Sequence, residues 1–85
     1  MQALQQQTIA MKLDEYRKSR GLSCEQAASM LDVDESTFNR WERGESVPGG
    51  INLMRLVAWS GGQVTSADIL AVAEAYRDKK KAGAA

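Results

Sequence analysis

Eighty-five residues, 44% of them apolar with one proline, suffice for one small domain whose single core is only marginally stabilising. Eleven Lys+Arg against eleven Asp+Glu leave zero net charge, so a surface built for an anionic partner has to be local. One cysteine and no histidine exclude a disulfide framework and the usual zinc ligand sets, and no run of about 18 apolar residues offers a membrane span.

In chain order, residues 1–8, with glutamines at 2, 5, 6 and 7, read as a flexible arm. No signal peptide is legible there, and a reducing cytoplasm is the simplest setting. From Thr8 to Arg20 the apolar Ile9, Leu13 and Tyr16 recur at helical spacing, with Gly21 placed as the residue after a helix end. Ser23 can cap a second helix in a capping box with Gln26, and Ala27, Ala28 and Leu31 form its inner face. After the break Asp32-Val33-Asp34, Asp34 is expected to cap a third helix that Gly44 ends. A fourth runs from about Ile51 to Ser60 and stops at Gly61-Gly62. Thr65, paired with Asp68, caps a fifth whose apolar face is Ile69, Leu70, Val72, Ala73 and Tyr76. The domain therefore spans residues 9–78, and the basic stretch 79–85 reads as a flexible tail. The fold class expected is all-α, five helices without a strand.

The third helix carries the chemistry. At about 100° per residue, Glu35, Asn39, Arg43, Ser36 and Arg40 share one polar face, and Phe38 and Trp41 lie opposite as core anchors. Such a face suits a major groove, which admits a helix and offers base edges to these side chains. It equally suits a solvated surface, so the helix alone leaves both readings open. Other chemistries fit less well. Asp32 to Ser36 mimics the start of a calcium loop, yet Thr37 stands at its glycine position and Arg43 at its bidentate glutamate. The Gly49-Gly50 and Gly61-Gly62 pairs lack the lysine and spacing of a phosphate-cradling loop. No spacing of carboxylates suggests a catalytic set, a metal site or a cofactor.

The segment Cys24 to Arg43, "CEQAASMLDVDESTFNRWER", resembles the helix-turn-helix of the Cro and phage-repressor family, also called the xenobiotic-response-element type. The upstream "LDEYRKSRGLS", Leu13 to Ser23, resembles that family's first helix and its junction, so the likeness covers about residues 9–72. Residues 53–81, with "LMRLVAW" and an alanine-rich last helix, are more distantly similar to the phage CII activators. The resemblance implies a five-helix, lambda-repressor-like DNA-binding domain, with helices two and three as the helix-turn-helix. It also implies a prokaryotic or phage regulator in the cytoplasm, at the nucleoid, working as a homodimer on palindromic double-stranded DNA. A repressor is favoured over an activator because no separate effector domain is legible.

Carried residue by residue, the resemblance makes Glu35, Ser36 and Arg40 the base-reading residues, and Asn39, on the same face, is a further base-reading candidate within reach of an adenine or a phosphate. Thr37, Arg43 and the positions Gly49, Gly50 and Asn52 become phosphate contacts, and Arg17 and Glu42 an ion pair joining helix one to helix three. The sequence departs from the family at three places. Cys24 stands where a phosphate-binding glutamine is common; it is either a thiol with a lowered pKa at a helix N-terminus or, as favoured, a small space-filler. Asp32 occupies a turn position that prefers glycine. The stretch 32–45 holds five carboxylates and two arginines, a field opposed to phosphate. Weak nonspecific affinity is the expected consequence, with binding that draws on a dimer or a second regulatory protein. The alternative is the same fold used as a protein-interaction module.

Overall fold

The computed structural model describes residues 11–84. They form five helices and, among the described residues, no strand: α1 (Leu13–Ser19), α2 (Cys24–Met30), α3 (Glu35–Arg43), α4 (Gly50–Trp59) and α5 (Ser66–Ala84). No helix of the described residues is long and apolar enough to cross a membrane. The architecture is organised around α3, which packs against α2, α5 and α1.

Local chemistry sets most of the boundaries. Ser23 accepts from the Gln26 amide at 3.0 Å, and the Gln26 side chain accepts from the Ser23 amide at 2.8 Å, so the expected capping box starts α2. Thr65 and Asp68 make the corresponding reciprocal pair before α5. Gly21 (φ 70°) and Gly44 (φ 85°) take the left-handed conformation beyond the ends of α1 and α3. Gly61 and Gly62 do the same after α4. That turn is tied by Ser60, 1% exposed, whose hydroxyl donates to the Val57 carbonyl at 2.9 Å and accepts from the Val64 amide at 3.0 Å. A buried hydroxyl is tolerated only when bonded in this way.

Two boundaries, one cap and one buried face differ from the sequence expectation. The first helix begins at Leu13 and not at Thr8; Lys12 is extended, its amide donating to the Glu15 carboxylate, and the Met11 amide donates to the Gln63 carbonyl at 3.0 Å. Thr8, Ile9 and the expected arm 1–8 lie outside the described residues. Asp34 stands at the N-cap of α3 with extended backbone, but its side chain accepts no capping hydrogen bond, leaving only the attraction of a carboxylate to the helix N-terminus. Leu70, expected on the inner face of α5, is 53% exposed. Over the expected tail, α5 continues through Lys79, Lys80 and Lys81 to Ala84. Lysine and alanine are strong helix formers, and cations at a helix C-terminus offset its dipole.

The core consists of Leu13, Tyr16, Ala27, Ala28, Leu31, Phe38, Trp41, Leu56, Val64 and Ile69. Phe38 is fully buried and Trp41 is 5% exposed, which fixes the roll of α3 about its axis. Trp59 packs against this core, edge-on to Tyr16 (ring centres 5.0 Å apart) and Phe38 (6.4 Å). Its carbonyl accepts from the Tyr16 hydroxyl at 3.3 Å.

Candidate nucleic-acid interface

Because Phe38 and Trp41 point inward, the opposite side of α3 must face out. Glu35, Ser36, Arg40 and Arg43 are exposed there, and Thr37 and Asn39 are half-buried at its margins. Arg40 makes no ion pair among the described residues. Asn39 shares the face in angle but not in exposure, so it projects less freely than its neighbours.

The orientation of α3 is locked from behind by an ion pair. Arg17 Nε donates to Glu42 Oε2 at 2.6 Å, and the two side chains are only 14% and 10% exposed. Arg17 Nη1 also donates to the Leu22 carbonyl at 2.9 Å, so one guanidinium ties α1, the junction before α2, and α3. The hydrogen bond to Glu42 holds the Arg17 pKa above its ordinary value, against the opposing effect of burial. Cys24 joins this cluster, its thiol donating to Glu42 Oε1 at 3.6 Å. Burial, reinforced by the Glu42 charge, pushes its pKa up. That corrects the lowered-pKa reading, because desolvation and a carboxylate neighbour both favour the neutral thiol.

The turn between α2 and α3 is made by Asp32 in the left-handed region (φ 60°). Its amide donates to the Ser29 carbonyl and the Val33 amide to the Ala28 carbonyl, closing α2 and turning the chain into α3. In front of the turn, Ser29, Asp32, Asp34, Glu35, Thr37 and Asn52 line one open groove, with Glu25 at its rim. The structure thus brings the expected phosphate contacts Thr37 and Asn52 beside Glu35, in a distinctly acidic setting.

Gly49 and Gly50 stand at the start of α4, both exposed, and no side chain caps its first amides. Uncapped amides at a helix start are suited to anions. At the far end of α3, Arg43 is engaged by one of the five carboxylates of stretch 32–45: its Nε donates to Glu45 Oε2 at 2.6 Å, a pairing the sequence did not indicate. The pair is exposed, at 56% and 33%. The Arg43 hydrogen bond holds the Glu45 carboxyl below the usual carboxylate range, with the charges of Arg43, Arg40 and Lys80 adding to it. Lys79 and Lys80, expected in a loose tail, line a groove with Arg43 and Tyr76. No local signal in the sequence places them there, since their position depends on how α5 crosses α3.

Among the described residues no group of His, Cys, Asp or Glu is arranged to hold a metal ion. A family model described as a helix-turn-helix domain matches residues 8–77. No curated protein and no solved structure gives a significant match. With the two-helix unit, its turn and the outward polar face all present, the chain belongs to the helix-turn-helix domain family, of the Cro and xenobiotic-response-element class, whose members are in general DNA-binding regulators and not enzymes.

Proposed function

We propose that the protein is a sequence-specific transcription regulator that reads the major groove of double-stranded DNA with α3. The observation that carries this reading is the division of α3 itself: Phe38 and Trp41 are buried, whereas Glu35, Ser36 and Arg40 are presented outward together. Arg40 suits the guanine O6 and N7 acceptors, Glu35 the cytosine N4 donor, and Ser36 either kind of edge, with Asn39 a lesser contact. Thr37, Arg43 and the amides around Gly49, Gly50 and Asn52 hold phosphates and set the register. Repression by occupying a promoter is the mode that asks nothing beyond this surface. The cytoplasm, at the nucleoid, is the setting in which such a surface meets its DNA.

The partner of highest priority is a second copy of the chain on a palindromic site. Exposed Ile51 (71%), Met54 (72%) and Leu70 (53%), with an apolar groove between Leu53, Met54, Val57 and Ala58, supply the surplus that a two-fold contact needs. Trp59 is not part of that surplus, because it is spent on Tyr16 and Phe38. Such a dimer sets two α3 helices about 34 Å apart, one DNA turn. A second reading is favoured by the acidic groove of Glu25, Asp32, Asp34 and Glu35: the fold then docks a regulatory protein and binds DNA weakly.

Selection from random duplexes in the presence of competitor DNA tests the choice. The regulator reading expects enrichment of a palindromic site. Recovery of unenriched sequence, together with co-purification of a basic protein, would favour the docking module.

A further inference from the structure

Three of the cations expected in or beside a loose tail line grooves at the C-terminal end of α3. Gly44, the residue that terminates α3, abuts α5 so closely that a Cβ there would lie 2.5 Å from the Val72 carbonyl oxygen. One helical turn further along α5, Tyr76 is half-buried, and the Lys80 ammonium sits 5.7 Å from its ring centre, within cation–π range. Lys79, Lys80 and Tyr76 share a groove with Arg43. Arg77 and Lys80 line the adjoining one with Glu45 and Val47.

The charges of this segment are sorted by face. At about 100° per residue, Lys79, Tyr76, Lys80 and Arg77 fall within roughly 160° of one another, and Glu74 and Asp78 fall on the other side. The two grooves therefore collect four cations, Arg43, Arg77, Lys79 and Lys80, around one carboxylate, Glu45. That carboxylate is already occupied by Arg43 at 2.6 Å. Its depressed pKa, caused first by Arg43 and then also by Arg40 and Lys80, reports the same convergence of positive charge. At the opposite end of α3 the groove is lined by carboxylates, so this is where the molecule concentrates its attraction for a polyanion.

We infer that the C-terminal turns of α5 form a second clamp on the DNA backbone, in which Lys79 and Lys80, supported by Arg77, contact phosphates next to the one held by Arg43. The inference rests on the reading of α3 as the DNA-recognition helix. It adds a contact from α5 that reading does not require. The clamp neutralises backbone charge without touching base edges, and it offsets the acidic stretch that otherwise weakens binding.

The test uses the full chain, its selected duplex and an unrelated duplex, with affinity measured across a range of salt. The Lys79→Gln/Lys80→Gln variant keeps good helix formers in α5, and its melting curve is expected to match that of the wild type. Its salt dependence should be shallower by about 0.9 per lost phosphate contact, about 1.8 units for each bound protomer and about 3.6 for a dimer. Affinity should fall on both duplexes while the selected sequence stays the same. Glu74→Gln/Asp78→Asn, on the other face of α5, should leave the slope unchanged. A wild type that selects a site, with a lysine variant of identical slope, would overturn the clamp alone. A wild type that selects no site would remove the reading beneath it, and the clamp with it.

Discussion

The two sides of α3 each carry an arginine–carboxylate pair with the same 2.6 Å separation, and the two pairs differ in almost everything else. Arg17–Glu42 joins residues 25 apart in sequence and is largely shielded from water. Arg43–Glu45 joins residues two apart and is exposed. Distance therefore says little about what a pair does. The inner pair has lost its hydration and depends on each partner being present, whereas the outer pair is screened, weak and free to exchange for another anion. The inner side of α3 is accordingly the part that sets the fold, and the outer side the part left available for recognition.

This contrast predicts a separation of effects. Gly44→Ala should be the most disruptive single change. It puts a Cβ 2.5 Å from the Val72 oxygen at a residue with φ of 85°, and it is expected to cost about 2–5 kcal/mol from left-handed strain and overpacking together. Glu42→Ala follows at about 3 kcal/mol, because Arg17 is left shielded without its anion; chemical denaturation reads both. Neither should alter which sequence is preferred by the fraction that remains folded. If Glu42→Ala instead left stability unchanged, the inner pair would be no more than a surface contact and the contrast would collapse. Asp32→Gly is the smallest of the three. Relief of a left-handed aspartate at φ 60° should leave stability unchanged or raise it by at most about 1 kcal/mol, and thermal melting should show no loss.

Much of the inner side was legible in the sequence, because its signals are local. Ser23 and Gln26 three apart, Thr65 and Asp68 three apart, and glycines at 21, 44 and 61–62 mark helix ends by their own chemistry, and Phe38 and Trp41 lie on one side of any helix drawn through them. Asp32 was legible as a left-handed turn residue only through the family resemblance, which places it where glycine is preferred. The Arg17–Glu42 pair required the family resemblance, since nothing local links residues 25 apart. What the sequence hid depends on tertiary arrangement. Leu70 keeps helical spacing with Ala73 but lies at the edge of the stripe formed by Ile69, Val72 and Tyr76, and it faces solvent because α5 meets α3 along a narrower stripe than its apolar residues span. Trp59 is accommodated because Tyr16 and Phe38 meet it edge to face, an arrangement no local spacing announces. Lys79–Lys81 read as a tail by composition, and only the crossing of α5 over Gly44 brings Lys79 and Lys80 beside Arg43. Glu45 lies within two residues of Arg43, but proximity in sequence does not say which of its neighbours an exposed carboxylate selects.

The claim that the outward face of α3 reads bases is tested most directly by binding-site selection with wild type, Arg40→Ala and Glu35→Gln in parallel. Arg40→Ala should lose about 1–3 kcal/mol on the wild-type site and relax preference at one base pair per half-site. Glu35→Gln should turn preference away from cytosine and towards adenine while raising nonspecific affinity, since a carboxylate near phosphates has been removed. Selected sequences that remain identical to those of the wild type for both variants would contradict the account, and α3 would then not be the element that reads DNA.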